Sequence, residues 1–199
     1  MRLRLVREPF DHPDYIFELK HDGFRAVVYI QNGECKILSR NSNQLRFKSL
    51  RENLARLQVQ DAIIDGEIIC IDRDGVSRFN HLLDRKHESV LYAFDLLWIN
   101  GVDLRRRPLL ERKKQLERLV RTSGLRLMYA QHVEKDGKDL FKEICARDLE
   151  GVVAKRKLSV HKDDGTGWLK IKNRAYSQAE GRHELLTRKS ASTGPKDSK

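Results

Sequence analysis

Lys20-His21-Asp22-Gly23-Phe24-Arg25 lies between two strand-like runs, Tyr15 to Lys20 and Arg25 to Ile30. It puts a lysine at the end of one strand and an arginine at the start of the next. Asp-Gly is a strong two-residue turn signal, so the spacing predicts a tight turn that brings both cations to one spot. A lysine so placed can act as a nucleophile toward phosphorus, with the arginine holding anionic oxygens. The plainer alternative is an ordinary hairpin with a solvated lysine, and six residues alone do not separate the two. The segments downstream bear on the choice.

Asn32-Gly33 is a second hairpin signal, leading into a strand over Glu34 to Leu38. Phe47, Leu50, Leu54 and Leu57 recur at helical spacing and predict a helix over about 47–57. Ala62 to Ile71 reads as a strand interrupted by Asp65-Gly66-Glu67, followed by a short helix near Phe79 to Asp84 and a long apolar strand, Val90 to Ile99. Pro108 precedes an amphipathic helix, Leu109 to Arg121, whose outer face is expected to carry Arg112, Lys113, Lys114 and Arg118. Further strands are predicted at Arg126 to His132, Gly151 to Lys155 and Trp168 to Lys172, with a helix over Asp136 to Arg147. Hairpins mixed with helices give an α+β fold on antiparallel sheets. Residues 1–186 read as one domain and 187–199, rich in Ser, Lys, Thr, Gly and Pro, as a disordered basic tail.

A formal net charge of +11 over 199 residues favours polyanionic partners. Most arginines lie before the tail, so the bias belongs to the domain. Cys35, Cys70 and Cys145 are odd in number and lack any CxxC spacing, so they read as reduced thiols of a cytoplasmic protein. The seven histidines show no metal-ligand spacing. No apolar run approaches the ~20 residues that span a bilayer, and no signal peptide is visible.

Five more segments carry groups suited to the same chemistry. Ser39-Arg40 ends a strand where an arginine could reach a phosphate, and Glu67 puts a carboxylate inside an apolar strand. Tyr92-Ala93-Phe94-Asp95 offers aromatic side chains on one face by period-two alternation. Glu150-Gly151-Val152-Val153-Ala154-Lys155 begins with an acid and closes with a base. Trp168-Leu169-Lys170-Ile171-Lys172 puts two lysines on one face and two aliphatic residues on the other. Each has a structural alternative: Arg40 a solvated turn residue, Glu67 an edge carboxylate, Phe94 core, Lys170 and Lys172 an exposed strand face.

In this order the segments resemble the covalent nucleotidyltransferase superfamily of ATP-dependent DNA ligases, RNA ligases and mRNA-capping guanylyltransferases. The resemblance covers about Tyr15 to Asn173. The KxDGxR signature is Lys20 to Arg25, the EGxVxK motif is Glu150 to Lys155, and the fifth motif is Lys170 to Lys172. The wording around Phe94-Asp95-Leu96-Leu97 and Trp168 to Lys172 is most similar to bacterial ATP-dependent DNA ligases. The resemblance implies an ATP-grasp-like adenylation fold in which Lys20 attacks the α-phosphate of ATP to form a lysyl–AMP. AMP would then pass to a 5′-phosphate of nicked or broken double-stranded DNA, and the 3′-hydroxyl would displace it. It further implies that Arg25 and Arg40 hold ribose and phosphate oxygens, with Arg40 on the DNA 5′-phosphate. Glu67 would bind ribose or metal, Phe94 would stack on adenine, and Glu150 would coordinate Mg²⁺ or Mn²⁺. Lys170 and Lys172 would grip the α-phosphate. Glu18 takes the place where the family reads the amino edge of adenine.

Elementary chemistry fits these roles. A free lysine amine titrates near about 10.4, so neutralising it at pH 7 costs about 5 kcal/mol. Nearby cations and a bound metal lower that cost, and the same charges stabilise the transferring phosphoryl group. The absence of a GxxxxGK[ST] loop leaves phosphate recognition to side chains. The family continues past the fifth motif into an oligonucleotide-binding barrel, for which residues 174–199 are too few. The expectation is therefore a monomeric catalytic core, with a barrel or repair protein acting in trans. An RNA ligase or capping-type transferase, and a non-catalytic nucleic-acid-binding module, remain the competing readings.

Overall fold

The computed structural model describes residues 3–72, 77–84, 87–161 and 167–179. Arg4–Val6 (β1) and His12–Leu19 (β2) come first, followed by Phe24–Gln31 (β3) and Glu34–Ser39 (β4). β3 and β4 form the expected hairpin, with Asn32 and Gly33 at φ 49° and 77°. Two left-handed residues give the primed turn whose twist matches the strands. Lys48–Leu54 (α1) leads to Asp61–Cys70 (β5), and Phe79–Asp84 (α2) to the long Ser89–Ile99 (β6). β6 reverses at Asn100-Gly101, a second left-handed pair, into Val102–Asp103 (β7). Leu109–Ser123 (α3) begins after Pro108 and ends at Gly124, φ 58°. Leu127–Tyr129 (β8), His132–Lys135 (β9), Gly137–Ala146 (α4), Gly151–Arg156 (β10) and Trp168–Lys172 (β11) follow.

Two sheets result. One runs β1-β11-β10-β2-β9 and the other β4-β3-β5-β6-β7, with β8 parallel to β6. All other pairs are antiparallel except β1 with β11. The α+β expectation holds, and no closed barrel forms among the described residues. β2 and β3 lie in different sheets, so the predicted tight turn between Lys20 and Arg25 is a crossing instead. Gly23 is needed there for closeness: a Cβ on it would lie 2.3 Å from the Ile68 carbonyl oxygen. The predicted single strand over 126–132 also divides, β8 joining one sheet and β9 the other, with Ala130-Gln131 as the return crossing.

Three apolar clusters hold these layers. Ala26, Val28, Ile64 and Ile68 on one face of the six-stranded sheet pack against Leu50 and Leu54 of α1 and Leu116 of α3. Each such aliphatic side chain contributes about 1.5–3 kcal/mol by leaving water. Phe17, Val152, Ala154 and Ile171 of the other sheet pack against Ile144 of α4. Ile16, Ile69, Phe94 and Trp168 meet at the junction of the sheets. Cys35 and Cys70 are buried reduced thiols, and Cys145 is half-buried. Among the described residues no helix is long and apolar enough to cross a membrane. After β11 the described residues end in a 3₁₀ turn, Ser177–Ala179, whose Ser177 N–H donates to Asp148 Oδ1 at 2.9 Å. The expected tail, 187–199, lies outside the described residues.

Helix α3 departs from expectation. Lys114 and Arg118 are exposed, but Arg112 and Lys113 are fully buried. They follow Leu109 by three and four residues, which places them on its apolar face. Burial is tolerable because carboxylates meet them. Arg112 forks onto Asp95 at 2.7 and 2.8 Å, and its remaining nitrogen donates to the carbonyls of Arg107 and Ser159. Burial alone would raise the Asp95 carboxyl, but His161 and Arg112 outweigh it and hold it low. Arg112→Met, which strands the Asp95 charge, is expected to cost about 3–5 kcal/mol of stability. A lowered urea midpoint at unchanged slope measures this, and Asp95→Asn in the same chain should recover part of the loss.

Candidate active site

Alternation along the strands decides which side chains face the gap between the sheets. In the five-stranded sheet Glu18, Val153 and Lys170 stand opposite one another across β2, β10 and β11. Lys20 is two residues beyond Glu18 and so shares its face. The Lys20 N–H donates to the Gly151 carbonyl at 2.8 Å, which fixes the start of β10 beside it. Gly151 has φ 149°, and a Cβ there would lie 2.1 Å from the Ile171 carbonyl oxygen. Only glycine lets β10 begin immediately after Glu150 in this position. The Lys20 Nζ consequently lies 2.7 Å from the Glu150 carboxylate, with the side chains 17% and 7% exposed.

The six-stranded sheet supplies the opposite wall. Arg25 faces Glu67 in the β3–β5 register, and Asp65 lies two residues before Glu67 on the same face. Arg25 Nε donates to Asp65 Oδ1 at 2.6 Å, and Nη2 donates to Oδ2. Its guanidinium sits 4.4 Å from the centre of the Phe94 ring, which the Lys155 amine also approaches, at 4.3 Å. Lys20, Arg25, Arg40, Glu67 and Lys170 line one cleft of about 1110 Å³. A smaller cavity of about 50 Å³ adjoins Lys20, His21, Tyr92, Phe94 and Trp168. Lys172 is exposed and lines neither cavity.

Glu18 is buried elsewhere than the open cleft. Its carboxylate oxygens lie 2.6 Å from Lys113 Nζ and 2.6 Å from Lys155 Nζ, and Lys113 also donates to the Ala130 carbonyl at 2.8 Å. Phe94 is 9% exposed and belongs to the junction cluster, edge-on to Trp168 at 5.6 Å.

Burial and crowding tune the titrating groups. Desolvation is the main cause that pushes the Glu67 carboxyl up to about 7; Glu150 and Asp65 add to it while Lys20 and Arg25 oppose it. Desolvation, then Lys20, takes His21 down to about 4. Lys155 is lowered to about 8, chiefly by burial and next by Lys113 against the pull of Glu18. Lys170 is lowered by partial burial and by Lys172 and Lys20. Among the described residues no group of three or more His, Cys, Asp or Glu side chains could hold a metal ion. Glu67 and Glu150, which interact electrostatically beside Lys20, still fit Mg²⁺. That ion takes hard oxygen ligands and is commonly bound by one or two carboxylates, completed by water and substrate phosphate.

The model of the ATP dependent DNA ligase domain matches residues 4–172. The chain belongs to that family. It is 33% identical over 177 residues to the multifunctional non-homologous end joining protein LigD of Pseudomonas aeruginosa, covering 84% of this chain and 21% of LigD. It is 28% identical over 187 residues to the SPbeta prophage-derived DNA ligase-like protein LigB of Bacillus subtilis, covering 89% of this chain and 68% of LigB. The solved mycobacterial DNA ligase D complexed with ATP and MES superposes with a TM-score of 0.71 at 26% identity, covering 85% of this chain and 60% of that one. The chain thus spans about a fifth of the length of the LigD relatives.

Three residues of this ligase domain join the site without being singled out for it from sequence, although two of them carry a signal. Asp65 was legible as a partner for Arg25 from its period-two spacing with Glu67. Lys113 was legible from the helical spacing that buries it. The placement of Lys155 against Trp168, 3.8 Å from the ring centre, had no local signal. Because folding raises the Glu67 carboxyl, the folded chain binds its proton more tightly between about pH 4.5 and about pH 7. Stability contributed by that group therefore falls as pH rises through this window. Glu67→Gln keeps the neutral form at every pH. Its Tm should match the wild type near pH 4 and exceed it by on the order of 2–4 °C at pH 8, read by calorimetry.

Proposed function

We propose that this chain is the adenylating core of an ATP-dependent DNA ligase that acts on nicked or broken duplex DNA. The observation that carries the reading is the Lys20 amine, held at 2.7 Å by Glu150 in a cleft that also presents Arg25, Arg40 and Lys170. The Lys20 nitrogen attacks the α-phosphorus of ATP, forming a P–N bond as the bond to the bridging oxygen breaks and pyrophosphate leaves. Its proton passes to the Glu150 carboxylate within hydrogen-bond reach. Lys170 and Arg25 neutralise charge on the nonbridging oxygens, and Arg40 receives the DNA 5′-phosphate. A 5′-phosphate oxygen next takes AMP from Lys20, and the 3′-hydroxyl then displaces AMP to seal the strand.

Glu67 and Glu150 are the residues that would hold Mg²⁺ or Mn²⁺, which supplies Lewis-acid stabilisation of the phosphate oxygens when bound. The 50 Å³ cavity at Phe94 has room for about one or two waters, each with a share of roughly 30 Å³. Adenine stacks on Phe94 as Arg25 or Lys155 moves off the ring, with Glu18 at its amino edge and Lys172 joining Lys170 on phosphate. Sealing draws on an oligonucleotide-binding barrel supplied by another domain or a repair protein, and the work is that of double-strand break repair in the cytoplasm.

Incubation with α-labelled ATP and Mg²⁺ followed by a denaturing gel tests the reading. The wild type should label, with ATP preferred to GTP, and Lys20→Ala should not. Glu150→Gln should lower the rate by about 10²-fold or more, the range for loss of a proton acceptor. With the barrel supplied, nicked DNA rather than nicked RNA should be sealed. Labelling of Lys20→Ala equal to the wild type would end the proposal.

A further inference from the structure

The 1110 Å³ cleft exceeds the roughly 300–1,000 Å³ that a single small ligand occupies. Its far end has no part in the adenylation chemistry. Tyr29, Ile63 and Trp98 stand directly opposite one another across β3, β5 and β6 and form one row on the sheet face that carries Arg25 and Glu67. Tyr29 is four residues beyond Arg25 on the same strand, roughly 13 Å away at about 3.3 Å per residue. Both aromatic residues line the cleft, and Tyr29 is 41% exposed. Trp98 is pre-set: its Nε1–H donates at 2.7 Å to Asp61 Oδ1, which also accepts the Gly101 N–H at 2.8 Å. Arg105 and Arg106 border this end of the same cleft, and Arg40 lies toward the amine.

We infer that this row is a stacking ledge for unpaired nucleotides of a DNA end, continuous with the adenylation site. The inference rests on the ligase reading for its substrate and adds a second contact region to it. Duplex DNA offers arginines its phosphates but keeps its base faces stacked on one another. An unpaired strand offers both phosphates and free π faces, and aromatic rings beside a basic rim accept both without regard to sequence. Among the described residues that line this end of the cleft the one acid, Asp103, is already forked by Arg105, with Nη2 at 2.7 Å. The rim therefore presents net positive charge to a strand arriving from the 5′-phosphate position.

The test measures binding of the 199-residue chain to 5′-phosphorylated duplexes with and without a single-stranded overhang, by fluorescence anisotropy. Tyr29→Ala should weaken binding of the overhang duplex about tenfold, equivalent to about 1.4 kcal/mol. It should leave blunt-duplex affinity and ATP-dependent self-labelling unchanged. A single-stranded oligonucleotide should quench tryptophan emission, and Trp98→Phe should abolish the quench while retaining the binding. An unchanged overhang affinity in Tyr29→Ala overturns the ledge, as does an equal loss on the blunt duplex. A quench that survives Trp98→Phe overturns it too. Overhang binding that depends on Tyr29 in a chain that fails to label with ATP would uphold the ledge and strike only the adenylation chemistry.

Discussion

The structure depends on how the chain passes from one sheet to the other at residues 20–23. A hairpin there would have kept Lys20 and Arg25 on neighbouring strands of one surface. The crossing puts the amine on one wall of a cleft and the guanidinium on the other. Close approach makes it possible, since Gly23 leaves no room for a side chain against the Ile68 carbonyl. The Lys20 N–H tied to Gly151 then binds the end of β2 to the start of β10. The return crossing is tied as well: Ala130 donates its N–H to the Ala93 carbonyl at 2.8 Å and accepts from Lys113 through its own carbonyl.

Between the crossings lies a buried polar layer of Arg112, Lys113, Lys155, Glu18 and Asp95. Three cations face two carboxylates, and Lys155 is the member driven toward neutrality. Removing such charges from water is costly, and the pairing offsets that cost only with good geometry. The gain is placement. Lys113, from a helix, and Lys155, from β10, reach Glu18 on β2, while Arg112 joins the same helix to Asp95 on β6. The two sheets are thereby held in one relation by charged groups specific for their partners, where an apolar layer would permit sliding.

The local pattern carried much of this fold. The Asn32-Gly33 hairpin, the strand over Val90 to Ile99 and the helix after Pro108 follow from turn chemistry and periodicity, which need no knowledge of distant partners. Asn100-Gly101 uses the same chemistry immediately after the apolar run that ends at Ile99. The crossing at Asp22-Gly23 was not legible because a glycine required by a distant carbonyl looks the same as one required by a turn. The site divides along similar lines. Lys20, Arg25, Arg40, Glu67 and Lys170 share one cleft, as their strand-end and alternating positions imply. The packing of Glu18 between two lysines, one of them on a helix some ninety residues away, depends on contacts that no window of sequence displays.

Peptide mapping by mass spectrometry after exposure to ATP and Mg²⁺ reads the central claim directly, because it locates the nucleotide on the chain. The account predicts AMP on the peptide that contains Lys20, released by acid and stable to alkali as a P–N bond requires. An adduct on Lys155 or Lys170 in its place, or one released by alkali and stable to acid, would contradict it.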